Sequence, residues 1–204
     1  MQIKVITTGA VAENCYLVCR KEKLFVIDPG ADAPQIIRAA QELNFSSAEI
    51  LLTHAHADHI GAVAELKNAL NAATVRLFPE DRDIYFSPDN AFPPFIPAAE
   101  NLPTPESYIE NEDFKALHTP GHTPGGASLL FEDDNSSELH LFSGDTLFAG
   151  SIGRTDFPGG SMQVMQKTLK MLVSTLDDRV IIHPGHGPSS TIGNEKKNNV
   201  YLNF

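Results

Sequence analysis

Thr53-His54-Ala55-His56-Ala57-Asp58-His59 follows directly on the apolar run Ile50–Leu52. Three imidazoles and a carboxylate within six residues, just past a strand end, form a set of nitrogen and oxygen donors suited to zinc, iron or manganese. His54 and His56 alternate, so a turn lets both converge on one point. Asp58 and His59 open the next helical stretch and face a second direction. The small residues Ala55, Ala57 and Gly61 leave room for a close approach.

One loop cannot close such a site, and three later loops each offer a further ligand at a strand end, where loops build sites on a rigid scaffold. Thr119-Pro-Gly-His122-Thr-Pro-Gly-Gly126 holds a histidine in a Gly/Pro-constrained turn. Ser143-Gly-Asp145-Thr146 follows the run Leu139–Phe142. His183-Pro-Gly-His186-Gly-Pro188 follows Val180–Ile182. With the first motif these make seven candidate ligands, enough for two metals. His118, His140 and His183 read as structural histidines. Asp28, in Val26-Ile-Asp-Pro-Gly30, ends another strand-like run.

Outward from these loops, strands are expected at Ile3–Ile6, Cys15–Val18, Leu24–Ile27, Ile50–Leu52, Thr74–Phe78, Phe114–Leu117, Ser128–Phe131, Leu139–Phe142 and Val180–Ile182. Glu132–Glu138 reads as a hairpin loop. A helix is expected after an N-cap at Asp32, with Pro34 in its first turn and Ile36, Ile37, Ala40 and Leu43 on one face. A second runs from Asp58 to Leu70. A third follows a cap at Ser161, with Met162, Met165, Leu169, Leu172, Val173 and Leu176 at helical spacing. The early strands come as neighbours rather than as strict βαβ units. That favours two packed sheets with helices outside over a doubly wound sheet, within one domain spanning 1–204. Phe78–Asn111, rich in proline and aromatic residues, reads as a packed surface excursion near the site.

The chain has 204 residues and a net charge of −11, with 42 % hydrophobic residues. This is an ordinary globular composition. An acidic surface repels phosphate backbones, which argues against nucleic acid as a partner. No apolar run reaches the ~20 residues of a membrane span, and the N-terminus lacks a leader pattern, so a cytoplasmic location is expected. Cys15 and Cys19 fall in one strand about 13 Å apart, too far to bridge, and read as reduced thiols.

On these motifs the chain resembles the metallo-β-lactamase-fold hydrolases, and among them the short glyoxalase II-like enzymes. The resemblance implies an α/β fold, an αββα sandwich with its site at one edge. It implies that His54, His56 and His122 hold one metal, that Asp58, His59 and His186 hold the other, and that Asp145 bridges them. The two divalent ions are expected to be zinc, with iron or manganese as alternatives. Asp28 would support the metal loop. Arg154, in Gly150-Ser-Ile-Gly-Arg-Thr-Asp-Phe157, stands where glyoxalase II enzymes place a basic residue that contacts glutathione. Arginine grips carboxylates with a two-pronged fork, which suits such a contact. The C-terminal helical domain of full-length glyoxalase II is expected to be absent.

The implied activity is metal-assisted hydrolysis of a small-molecule thioester such as S-lactoylglutathione, with Asp58 as the catalytic residue that orients or deprotonates the water. The alternatives are a mononuclear-iron persulfide dioxygenase, whose Gly-Arg-Thr-Asp-Phe wording is similar, or a lactonase of the same fold.

Overall fold

The computed structural model describes residues 1–203 and divides the chain into two compact units, 1–108 and 109 onward. In the first unit, β1 (Gln2–Thr8), β2 (Glu13–Arg20) and β3 (Lys23–Ile27) are followed by α1 (Ala33–Gln41), β4 (Ser47–Leu51), α2 (Ala57–Ile60), α3 (Val63–Ala69) and β5 (Thr74–Arg76). The sheet order is β1-β2-β3-β4-β5. β1, β2 and β3 pair antiparallel, while β3, β4 and β5 pair parallel across the α1 and α2–α3 crossovers. Leu17, Leu24, Val26, Ile36, Ile50, Val63 and Leu66 bury together in its core. Each such side chain contributes about 1.5–3 kcal/mol on leaving water.

Two helix starts differ from expectation. Asp32 does not cap α1: it sits in the left-handed region at φ 53°, and its Oδ2 accepts instead from the Gly9 amide at 2.9 Å. The stretch expected as one helix from Asp58 is two, α2 and α3, interrupted at Gly61-Ala62. The Ala62 amide donates to the Pro29 carbonyl at 2.9 Å, so a distant loop claims a donor near the break. After β5 the chain runs through a 3₁₀ turn (Pro79–Asp81) and α4 (Arg82–Tyr85) into the proline-rich segment. Its return lies beside β5, with Glu106 N donating to Val75 O and Leu77 N to Glu106 O.

The second unit holds β6 (Lys115–His118), β7 (Ala127–Glu132), β8 (Leu139–Gly144), β9 (Leu147–Phe148), β10 (Ser151–Ile152), α5 (Met162–Thr175), β11 (Ile181–Pro184), β12 (Ser190–Thr191) and α6 (Ile192–Asn198). Its main sheet is ordered β12-β11-β8-β7-β6 and is also mixed, since β11 runs parallel to β8 and the other pairs are antiparallel. The Ser161 hydroxyl caps α5 by accepting from the Val164 amide at 3.3 Å. That helix buries Met165, Leu169 and Leu172 against Leu141 and Ile182. Two mixed sheets, each with its helices, are the fold class read from the sequence. Cys15 and Cys19 are both free thiols. Among the described residues no helix is long and apolar enough to cross a membrane.

His140 and His183 form a stacked pair across β8 and β11, with Nδ1 of His140 3.0 Å from Nε2 of His183. Burial, reinforced by the neighbouring His140, holds His183 down to about 4. The unfolded chain takes up this proton near pH 6.5, so the contribution is intact above that pH and is lost as pH falls toward 4. Linkage then costs the fold about 2 kcal/mol between pH 7.5 and pH 5. Chemical denaturation of His183→Gln at these two pH values should show a correspondingly shallower loss. An identical loss in both proteins would place the titrating group elsewhere.

Candidate metal centre

The loop after β4 is held in place by Asp28. Asp28, at φ 50°, occupies a backbone region that costs a non-glycine residue free energy, a form of strain that collects at functional sites. Its carboxylate accepts from Thr53 N at 2.7 Å, from Thr53 Oγ1 at 2.6 Å and from His59 Nδ1 at 3.1 Å. Because the Thr53 hydroxyl proton is committed to Asp28, Thr53 Oγ1 receives the Nδ1 proton of His54 at 3.0 Å. Both histidines therefore carry their proton on Nδ1 and keep a lone pair on Nε2. This is the pattern of metal-binding imidazoles oriented by outer partners.

The donors of the first unit are packed closely. The His54 ring lies 4.9 Å from that of His56 and 4.1 Å from that of His59. His59 Nε2 is 3.7 Å from Asp58 Oδ2. Asp28, His54 and His59 form one of the buried groups whose ligand atoms all lie within 4.8 Å of one another. The approach depends on Gly30: a Cβ there would stand 1.5 Å from the Asp58 carbonyl oxygen, so only glycine lets the Asp28–Gly30 loop lie against α2.

The second unit carries the remaining three. His122 sits in a turn closed by Thr119 N to Gly126 O at 2.7 Å. Its Nδ1 donates to the Arg154 carbonyl at 2.6 Å, which again leaves Nε2 with the lone pair. Asp145 Oδ2 lies 3.6 Å from His122 Nε2 and 3.8 Å from His186 Nε2. These separations are too long for hydrogen bonds, yet near the ~3.4 Å between neighbouring ligands on a tetrahedral ion with bonds of ~2.1 Å. Gly153 admits the Arg154 loop, since a Cβ there would meet the Asp145 carbonyl oxygen at 1.7 Å. Within each unit the donors and their tautomers fit a divalent metal.

Arg154 stands differently from the other candidates. Its side chain is half exposed, its Nε and Nη2 each donate to Asp156 at 2.7 Å, and its guanidinium lies 4.0 Å over the Phe157 ring. This pairing holds the Asp156 carboxyl down to about 2. The carbonyl that orients His122 belongs to its main chain, a role no side-chain pattern could have announced.

Two residues were missed by reading the sequence. Glu13 is buried in β2, with Oε2 accepting from Thr8 Oγ1 at 2.8 Å and Oε1 3.9 Å from His59 Nδ1; burial raises its carboxyl well above the usual range. Asp81, fully buried, accepts from the Ala55 amide at 3.1 Å. Each is one acid among many in the sequence, and neither lies near a histidine motif.

The chain is 34 % identical to "Hydroxyacylglutathione hydrolase GloC" of Haemophilus influenzae over 100 % of its own length and 99 % of that protein's. Among solved structures, the BLEG-1 B3 metallo-beta-lactamase superposes with a TM-score of 0.85 at 32 % identity, each chain covered in full. The structure of TTHA1623 in a di-iron-bound form gives 0.81 at 37 % identity, covering 98 % of this chain and 100 % of that one. Residues 8–186, a span that includes all seven candidate ligands, match the metallo-beta-lactamase superfamily, and the chain belongs to that family.

Proposed function

We propose that the protein is a metal-dependent thioesterase of the glyoxalase II type, acting on S-lactoylglutathione or a related acyl-thiol. In this reading His54, His56 and His122 would hold one divalent ion and Asp58, His59 and His186 a second, with Asp145 as a ligand common to both. Full-length similarity to a hydroxyacylglutathione hydrolase is the observation that carries the substrate class. The Nδ1-protonated histidines support the metal assignment. Zinc is the favoured metal; the di-iron relative keeps iron in view. A cytoplasmic enzyme suits the free thiols of Cys15 and Cys19, and the reading includes no nucleic-acid or membrane partner.

Bound divalent ions would supply Lewis acidity and lower the pKa of a coordinated water from 15.7 toward about 7. The chain's own residues do the rest. Asp28 and Thr53 keep protons on the Nδ1 atoms of His59 and His54, and the Arg154 carbonyl does the same for His122, so each Nε2 stays available. Asp58, in the first turn of α2, accepts the proton of the attacking water. The thiolate leaving group of a thioester needs little protonation, and the reading calls on no separate acid.

The test is elemental analysis joined to a panel of thioesters and lactones. Two metals per chain and turnover of glutathione thioesters are expected. One iron per chain with oxygen uptake would point to the persulfide dioxygenase reading, and preferential lactone turnover to a lactonase.

Arg154 is proposed to grip a carboxylate of the thiol moiety, for which it must exchange Asp156. Arg154→Ala should then raise KM for a carboxylate-bearing thioester about tenfold, the equivalent of one charge-assisted hydrogen bond, and leave a neutral thioester nearly unchanged. Equal losses on both substrates would show that the residue serves only the loop carrying the His122 acceptor.

A further inference from the structure

The proline-rich segment after β5 reaches the metal loop twice. At its start, the Asp81 carboxylate receives the amide of Ala55, the residue that stands between His54 and His56 in sequence. At its end, the buried Tyr108 hydroxyl donates to the Leu52 carbonyl at 3.0 Å, immediately before Thr53, and its ring packs 5.0 Å from Phe78.

Between these points the segment braces itself. Arg82 Nη2 donates to Pro105 O at 2.9 Å and Tyr85 Oη to Pro103 O at 3.0 Å. Asn90, buried, bonds the Tyr85 and Ala99 carbonyls and accepts from the Ala99 amide. Prolines at 79, 88, 93, 94, 97, 103 and 105 narrow the conformations open to this segment before folding, which lowers the entropy cost of ordering it.

We infer that the segment is a brace for the metal loop and that Asp81 and Tyr108 are positioning residues for its ligands. His54 and His56 leave the chain on alternate residues, so the direction of both side chains depends on the peptide at Ala55. Their rings stand nearly perpendicular, at 86°. A free Ala55 amide lets that peptide rotate and splays the two imidazoles. Asp28 does not replace this hold, because its bonds go to Thr53 and His59.

The inference rests on the metal reading above, and the experiment separates the two. Full-length wild type, Asp81→Ala, Asp81→Asn and Tyr108→Phe are titrated with zinc against a chelator, loaded with cobalt(II) for visible spectra, and melted without metal. Asp81→Ala should bind zinc about 10–100-fold more weakly and shift the cobalt bands, as loss of an outer partner does at other metal sites. Asp81→Asn, which retains an oxygen for the Ala55 amide, should recover most of that affinity. Tyr108→Phe loses only a hydroxyl and should weaken zinc binding by a smaller factor, which keeps the inference testable if Asp81→Ala fails to fold. Wild-type zinc affinity and cobalt bands in Asp81→Asn and Tyr108→Phe, together with the same in Asp81→Ala or its failure to fold, would reduce the segment to a structural element. A wild-type protein that binds no zinc or cobalt would overturn the metal reading and this inference with it.

Discussion

Asp58→Ala is expected to lower kcat for thioester hydrolysis by at least 10²–10⁴-fold, the usual contribution of a positioned general base. Loss of one metal would add to this. The fold should hardly notice. The side chain adds no apolar area to the core, and the close contact with the Gly30 loop uses the Asp58 main-chain carbonyl, which alanine keeps. Metal-free Asp58→Ala should therefore unfold within about 1 kcal/mol of wild type, as expected of a substitution that removes no apolar side chain from the core. Steady-state kinetics, metal content and chemical denaturation together make the check. A variant that retains near-wild-type turnover would remove Asp58 from the mechanism.

Asp28→Ala is expected to damage both fold and metal binding. Three donors converge on this carboxylate, all from buried residues. Each one left unsatisfied costs about 1–3 kcal/mol. The substitution also leaves alanine in the left-handed region, which it visits less readily than aspartate. The metal-free protein should lose several kcal/mol of stability. Zinc affinity of the folded fraction should fall about 10–100-fold, because the His59 Nδ1 proton loses its Asp28 acceptor and the Thr53 hydroxyl that receives the His54 proton loses the carboxylate that orients it. Asp28→Asn tolerates the backbone conformation and keeps one oxygen, so it should fall between the two. Zinc titration at a temperature where the variant is folded decides the point, and unchanged affinity would mean that the two rings are set by packing alone.

Much of this was legible in the order of residues. Strand periodicity, Gly/Pro turns and histidines at strand ends are local features, and they marked the core strands and the candidate ligands. Helix α5 was legible for the same reason, since Ser161 caps it and its apolar spacing lies within one segment. What failed were features whose partners lie far along the chain. Asp32 has the composition of a cap, but the Gly9 amide takes its carboxylate. The stretch after Asp58 has helical composition, but it breaks where Ala62 bonds Pro29. The short strands β9, β10 and β12 and helix α6 carry too little periodicity to stand out.

The sequence alone determined the donor types and their places at strand ends, because ligand chemistry belongs to side chains and strand ends follow local pattern. Only the tertiary structure decided which nitrogen of His54, His59 and His122 donates its proton to an outer acceptor. That choice depends on acceptors brought in from Asp28, Thr53 and the main chain of Arg154. It likewise decided that Asp81 grips Ala55, 26 positions away. A main-chain carbonyl has no residue identity, and a long-range hydrogen bond leaves no period in the sequence, so neither could be read before the chain was folded.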